Sequence, residues 1–273
     1  MSFEDRGVRL QDYDPVTYPG SVLRFRGPEA SLDEPYVLCI GGSETFGQFI
    51  AQPYAAKLND DVALSVVNMG VLNGGLDVLM TDPAIISAIH GASAVVLQVT
   101  GAQNMNNRFY SVHPRRNDRF LKATRTLRSI YHDVDFTEFH FTRHLLTHLE
   151  SVSSDRFTVI VNELQAAWQA RMERLIDSIN APVHLVWLSN RHPEEDGAGR
   201  LGGDPLFVTN AMLQRAAEQA QSLTISVSPV GIPAEPRETN LFAARRTAAA
   251  RLLPGPEAHD AAAEALKPLL LIG

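Results

Sequence analysis

The chain has 273 residues, of which 45% are hydrophobic and 20% are charged, so it can bury one good core without a second domain. Its formal net charge of −7 at pH 7 argues against a general nucleic-acid binder, because contacts to phosphates need clustered Lys and Arg. A single cysteine (Cys39), a start without an apolar signal region and the lack of a stretch of roughly 20 apolar residues indicate a cytoplasmic protein without a membrane partner.

The chain opens with a segment that differs from the rest. Residues 1–35 are rich in proline, glycine and charge, which predicts an irregular N-terminal extension. The remainder, 36–273, reads as a single α/β domain. Its first strand is predicted over 36–40, a short apolar run that a Gly-Gly pair ends in a tight turn. A helix is predicted over 48–58, where apolar residues recur at helical spacing.

Further strands and helices follow in alternation. Strands are predicted over 62–67, 94–99, 182–188 and 223–227, and helices over 82–90, 156–179 and 258–270. Between the third and fourth strands lies a helical insertion with basic loops, at about 105–155. The alternation predicts a three-layer αβα sandwich of flavodoxin-like type, with a mainly parallel five-stranded sheet. Ligands of such folds bind outside the carboxyl ends of the strands.

The segment after the first strand is the one most suited to catalysis. It reads Gly-Gly-Ser-Glu-Thr-Phe-Gly over 41–47. Its glycines permit a sharp turn that exposes Ser43, and the N–H groups of the next helix face a developing negative charge. The alternative is a glycine-rich turn in which the serine only caps a helix.

Other groups suited to the same chemistry follow the next two strands or open the last helix. Gly70 follows the second strand, where its backbone N–H would approach the same site. Gln103 and Asn104 follow the third strand and offer side-chain amide donors. His259 lies at the start of the last predicted helix. We expect these groups to meet Ser43 at one edge of the sheet.

Together these segments resemble the SGNH or GDSL-type hydrolase family. Residues 41–47 look like the first block of the family, whose serine is the nucleophile, and Gly70 lies where the second block has its glycine. Residues 101–104 resemble the third block, which normally reads Gly-x-Asn-Asp. Residues 256–261 resemble the fifth block, in which a histidine opens the last helix as general base. The resemblance implies a serine esterase or deacylase.

The resemblance covers 36–104 and roughly 180–270, and two positions depart from its pattern. Family members usually carry Asp three residues before the histidine, where this chain has Pro256, so the orienting carboxylate is missing, is Glu257, or is replaced by a backbone carbonyl. Gln103 stands where the oxyanion-binding Asn is expected. The departures bear on whether the site is active, since losing one oxyanion donor typically costs about 10²–10³ in rate. Residues 110–120 are similar to a narrower group of bacterial proteins of this type, which carries no assigned activity.

The resemblance implies acyl transfer through a covalent intermediate. Ser43 would attack an ester carbonyl after His259 accepts its proton. The N–H groups of Ser43 and Gly70, with the amide of Gln103 or Asn104, would hold the oxyanion. No metal or organic cofactor is implied, and the expected partner is a small-molecule or glycan ester.

The substrate side of the cleft is predicted from residues near the first and third strands. Arginines suit the bidentate capture of carboxylate, phosphate or sulfate, and a basic cluster follows the third strand closely enough to border the same cleft. The alternative is a solvated loop that pairs with acidic neighbours. The residues assigned to substrate binding are Glu44, Asn107, Arg108, His113, Arg115 and Arg116.

Three functions remain open on the sequence alone. The first is a serine esterase or deacylase acting on an O-acyl ester, carbohydrate-linked or anionic. The second is an acyltransferase, which would use the same Ser43 and His259. The third is a relative whose site has decayed and which binds a glycan or a protein.

Overall fold

A computed structural model describes residues 13–195, 201–228 and 252–271 of the chain. Its strands are β1 (Tyr36–Gly41), β2 (Ser65–Gly70), β3 (Ala94–Gln98), β4 (Tyr110–His113), β5 (Arg116–Ala123), β6 (Val183–Ser189) and β7 (Ser222–Val227). Five of them form one parallel sheet in the order β2-β1-β3-β6-β7. The predicted α/β class with a parallel five-stranded sheet is confirmed.

Helices connect the strands and cover the sheet. They are α1 (Ser43–Phe46), α2 (Tyr54–Asp61), α3 (Leu76–Thr81), α4 (Pro83–Gly91), α5 (Arg125–Ile130), α6 (Thr142–Val152), α7 (Ser154–Asp177), α8 (Asn210–Ala217) and α9 (Pro256–Leu270). Within the described ranges, no helix is both long and apolar enough to cross a bilayer.

The central strands are buried on both faces, which explains their nearly continuous apolar sequences. Alternate residues of β1 enter two different cores, with Leu38 and Ile40 in one and Val37 and Cys39 in the other. The first core is completed by α3, α4, α7 and α8. The second core is smaller and is completed by α2 and α9. The sheet is therefore the middle layer of three.

The insertion after β3 contains an element that the sequence did not predict. β4 and β5 pair as an antiparallel hairpin, where the sequence indicated loops and helical stretches. Tyr110 and Val112 point into the core, as do Phe120 and Ala123 of the second strand, while the outer face carries charged residues. β4 alternates between buried and partly exposed residues, as a half-buried strand does, whereas β5 is buried at every third residue. Bulges shift the register of the hairpin and obscure its period in the sequence.

The predicted N-terminal extension packs against the domain over its described part, 13–35. Tyr18, Leu23 and Phe25 are buried in the larger core. The guanidinium of Arg26 donates hydrogen bonds to the carbonyl oxygens of Gly47 (2.8 Å) and Ala51 (2.7 Å), just after α1. This segment therefore holds the carboxyl end of the first helix in place.

Candidate active site

The candidate site lies where α1 rests on the ends of three strands. A Cβ atom at Gly70 would overlap the backbone nitrogen of Phe46, and one at Gly41 would overlap the side chains of Thr45 and Gln98. Glycine is thus required at both positions for the helix to approach the sheet. Along β1 and β2, Gly41 and Gly70 lie on the same side of the sheet as Cys39 and Val66, which pack in the core formed with α2 and α9. The first helix, α1, therefore lies on that face of the sheet.

Ser43 is the first residue of α1, and its hydroxyl faces the loop that follows β2. The side chain is 9% exposed, and its Oγ accepts a hydrogen bond from the backbone N–H of Asn73 (2.9 Å). Asn73 has a φ of 55°, in the left-handed region that Asn tolerates better than most residues. The resulting turn aims its N–H at the serine. Asn73 was not predicted as a site residue.

Gln98, at the end of β3, fixes the start of α1 and was also not predicted. Its Oε1 accepts hydrogen bonds from the N–H groups of Gly42 (2.9 Å) and Thr45 (3.0 Å). The N–H of Ser43, between them, has no acceptor among the described residues. A second backbone donor therefore lies beside the Ser43 hydroxyl, in addition to that of Asn73.

A carboxyl group lies next to the serine. Glu44 accepts a hydrogen bond from Nε2 of Gln98 (2.7 Å). Burial raises the pKa of Glu44; the Gln98 hydrogen bond lowers it, and the nearby charge of Asp204 raises it further. Asp204 itself accepts a hydrogen bond from Gln103 (2.9 Å) and pairs with Arg143 (3.1 Å).

The three predicted oxyanion donors other than Ser43 make different hydrogen bonds. The N–H of Gly70 donates to Oδ1 of Asn68 (2.9 Å). Nε2 of Gln103 donates to Oδ1 of Asp204 (2.9 Å), and its buried Oε1 has no partner among the described residues. Oδ1 of Asn104 accepts from the hydroxyl of Thr142 (2.7 Å). None of these bonds involves Ser43.

His259 lies in the first turn of α9, on the same face of the sheet as α1. Its side chain is 1% exposed, and Nδ1 accepts a hydrogen bond from the N–H of Tyr54 (3.2 Å). The hydroxyl of Tyr54 in turn shares a hydrogen bond with that of Thr45 (3.0 Å), two residues after Ser43. Tyr54 thus links the histidine to α1. Within the described residues, no hydrogen bond joins His259 directly to Ser43.

The hydrogen bond to Tyr54 also fixes the tautomer of the histidine. In a neutral imidazole only one ring nitrogen is protonated, so an accepting Nδ1 leaves the proton on Nε2. Glu257, a candidate for the orienting carboxylate, is exposed and makes no hydrogen bond to the ring. A His259 base would need the proton on Nδ1 instead.

The predicted substrate-binding residues of the insertion fall into two groups. His113, Arg115 and Arg116 form the turn between β4 and β5, near the site. Asn107 and Arg108 precede β4, at the opposite end of the hairpin. The structure therefore brings only the first group towards the loop that holds Asn73.

Asn117 docks that turn beside the site. Its fully buried Oδ1 accepts hydrogen bonds from the N–H groups of Gly75 (2.9 Å) and Val78 (3.2 Å), at the start of α3. Its Nδ2 donates to the carbonyl oxygen of His113 (3.0 Å). Gly75 lies two residues after Asn73, so a single loop separates the hairpin turn from Ser43.

The described part of the chain contains no group of three or more His, Cys, Asp or Glu side chains that could hold a metal ion.

Comparison with known proteins identifies a family whose description names no activity. The family model "Domain of unknown function (DUF6473)" matches residues 1–271, and no curated protein matches the sequence. Among solved structures, the chain is similar to the lipase Lip_vut3 from a goat rumen metagenome, with 13% identity, a TM-score of 0.43, and coverage of 87% of this chain and 98% of that one. It is also similar to protein YXIM from Bacillus subtilis, with 14% identity, a TM-score of 0.41, and coverage of 88% and 58% respectively.

Proposed function

The chain belongs to the family described as a domain of unknown function (DUF6473), and from its site we propose that it is a serine hydrolase that cleaves O-acyl esters. The observation that carries this proposal is the position of Ser43. Its hydroxyl stands at a strand-to-helix turn, 2.9 Å from the N–H of Asn73 and next to its own unpaired N–H. A serine between two backbone donors is suited to forming and stabilising a tetrahedral oxyanion.

The chemistry proceeds in two halves. Oγ of Ser43 attacks the acyl carbonyl, the carbonyl oxygen becomes an oxyanion, and the alcohol leaves with a proton. The N–H groups of Ser43 and Asn73 donate to that oxyanion once Oγ has moved onto the carbonyl carbon. Water then attacks the acyl-serine, releases the acid and returns the hydroxyl. Asn73 replaces Gly70 in our assignment, because the N–H of Gly70 is held by Asn68.

We assign the proton transfer to His259, with one structural requirement. For Nε2 to accept the serine proton, Nδ1 must be protonated, and the bond from the Tyr54 N–H must open. That bond is 3.2 Å long, at the upper end of the usual range for hydrogen bonds. The buried ring must also turn towards α1, which lies on the same face of the sheet.

A second candidate is a binding protein built on the same fold. It is favoured by one observation, that the hydrogen bonds of Gln103 and His259 within the described residues lead away from Ser43. In that case the site binds a ligand without reaction, and the Ser43 hydroxyl only contributes a hydrogen bond.

The test is covalent labelling with a fluorophosphonate probe, which reacts with activated serines. We expect the wild type to be labelled, Ser43→Ala to be unlabelled, and His259→Gln to be labelled much more slowly. Ser228→Ala is the matched control, because Ser228 follows β7 at the same edge of the sheet and is 8% exposed, close to the 9% of Ser43. A folded wild type that does not react would favour the binding protein.

A further inference from the structure

The insertion carries a charge opposite to that of the whole chain. Residues 108–128 contain a single acidic residue, Asp118, in a protein whose net charge is −7. Their basic residues are Arg108, Arg115, Arg116, Arg119, Lys122, Arg125 and Arg128. Positive charge is thus concentrated on the β4–β5 hairpin and α5.

Some of these cations already have partners, and others do not. Arg119 and Arg128 lie over aromatic rings, and Arg116 forms an exposed ion pair with Asp118 (3.2 Å). The side chains of Arg115 and Lys122 have no hydrogen bond or ion pair among the described residues. An exposed ion pair contributes little free energy, so Arg116 can exchange its partner at low cost.

The turn of the hairpin is held next to the loop that carries Asn73. The two hydrogen bonds that Asn117 accepts from the start of α3 fix the turn next to Gly75. Consecutive Cα atoms are about 3.8 Å apart, so Gly75 lies within about 8 Å of Asn73, whose N–H contacts the Ser43 hydroxyl. The side chains of Arg115 and Arg116 extend from this fixed point.

The charges around Ser43 also determine which end of a substrate can be anionic. Glu44 directly follows Ser43 and is held by the side-chain amide of Gln98, so its carboxylate, when ionised, would repel an anion placed beside the serine. An anionic group on the substrate is therefore excluded from the reacting centre and accommodated only some distance from it. The hairpin turn provides cations at such a distance.

We propose that Arg115 and Arg116 bind an oxyanionic group, carboxylate or phosphate, at the far end of an ester whose acyl group reacts at Ser43. This inference rests on the proposed function and adds a substrate class to it. Two neighbouring guanidinium groups form paired hydrogen bonds with either oxyanion. Of the other exposed cations of the hairpin, Arg119 lies over the ring of Phe141, and Lys122 lies about 20 Å along β5 from Arg116 at the usual rise per strand residue, too far to share one small ligand.

The experiment uses nitrophenyl esters as molecular rulers. Hemiesters of succinic, adipic and suberic acid place a carboxylate at increasing distances from the ester, and neutral esters of matching length lack it. A phosphonate-ended ester of the same length separates carboxylate from phosphate recognition. We expect kcat/KM to favour the anionic member of a pair by at least tenfold at one chain length. The advantage should shrink as salt is added.

Two double variants then show which residues recognise the anionic group of the ester. Arg115→Ala/Arg116→Ala should remove the anionic advantage, so that the ratio of kcat/KM for the anionic ester to that for its neutral counterpart falls to about one. Lys122→Ala/Arg125→Ala removes the same charge from the same segment and should keep the advantage. An equal loss in both double variants would overturn the proposal in favour of a diffuse field, as would a wild type that prefers neutral esters at every length.

A binding measurement separates this inference from the proposed function. Calorimetry of suberate with Ser43→Ala, in the presence and absence of the Arg115→Ala/Arg116→Ala pair, needs no turnover. Binding that requires the two arginines supports the anion site even if no ester is hydrolysed. Hydrolysis of neutral esters, without anionic preference and without suberate binding, would sustain the hydrolase and refute the anion site.

Discussion

Gly70 is the residue at which β2 and α1 come closest together. Its missing side chain leaves room for the backbone of Phe46, which cannot move without moving the helix that carries Ser43. We expect Gly70→Ala to lower the free energy of unfolding by about 1–3 kcal/mol, as overpacking does elsewhere. Urea denaturation measures this. Gly203→Ala is the control, because its Cβ would make only an ordinary contact, 3.7 Å from Cδ of Arg191.

Glu44 makes stability depend on pH in a direction opposite to most carboxyl groups. Burial raises its pKa in the folded chain, so the folded state binds the proton more tightly than the unfolded state. The free energy of unfolding therefore falls as the pH rises from the unfolded pKa, 4.5, through the higher folded value.

Glu44→Gln removes this titration and keeps an acceptor for Gln98. We expect the variant to gain stability relative to the wild type as the pH rises above 4.5, as measured by urea denaturation at a series of pH values. Glu34→Gln, which removes a carboxylate from an exposed loop position, is the control for the loss of one charge. A difference between Glu44→Gln and wild type that stays constant with pH would contradict the account.

Single residues of the site differ in how visible they are in the sequence. Ser43 was predicted from the glycines around it, because a sharp turn requires glycine at neighbouring positions of the sequence. Asn73 and Gln98 were missed, because each acts through a hydrogen bond to an element distant in sequence. Two sequence features could have pointed to them: Asn73 precedes a Gly-Gly pair, and Gln98 is a polar residue at the end of an apolar strand. The assigned roles of Ser43 and His259 stay predictions until the labelling experiment.

At the level of elements, the β4–β5 hairpin depends on Asn117 for its position. Asn117→Ala leaves two N–H groups of α3 without their acceptor and opens the hairpin turn. We expect a loss of about 2 kcal/mol in the free energy of unfolding, since capping and buried hydrogen bonds are both removed.

Asn117→Asp distinguishes the two roles of that side chain. It keeps the acceptor for α3 and loses the donor to the turn, so the amides of Gly75 and Val78 should stay protected in hydrogen exchange. In Asn117→Ala the same amides should exchange faster. Equal exchange in both variants would mean that the cap contributes nothing.

The elements predicted correctly are those whose burial determines their sequence. The five sheet strands are apolar on both faces, so short apolar runs identified them to within a few residues. The helix predicted over 48–58 instead begins at Tyr54, after Pro53, and a separate short helix precedes it. Pro53 disfavours the helical conformation of the residue before it, so α2 cannot extend further towards the N-terminus. The hairpin was missed because its period is broken by bulges.

At the scale of the whole molecule, the N-terminal segment and the site form one unit. Arg26 comes from the segment predicted as an extension and holds the carbonyl groups after α1. We expect Arg26→Ala to lower the free energy of unfolding by about 2–3 kcal/mol, because hydrogen bonds of a buried charged group are lost. It should also slow labelling of Ser43. Denaturation and probe kinetics test both effects, and Arg24→Ala, at an exposed position, should leave them unchanged.

The strand order has a consequence for how the protein is made. β3 pairs with β1 early in the chain, but its other neighbour is β6, with Val95 opposite Val183. Roughly 90 residues separate these partners, so at about 5–20 residues per second a ribosome needs about 4–18 s to supply the second one. During that interval the edge of β3 that later pairs with β6 lacks its partner, and α9 has not been synthesised. The proposed nucleophile is therefore made before its proposed base, and we expect acyl chemistry only after α9 has emerged and docked.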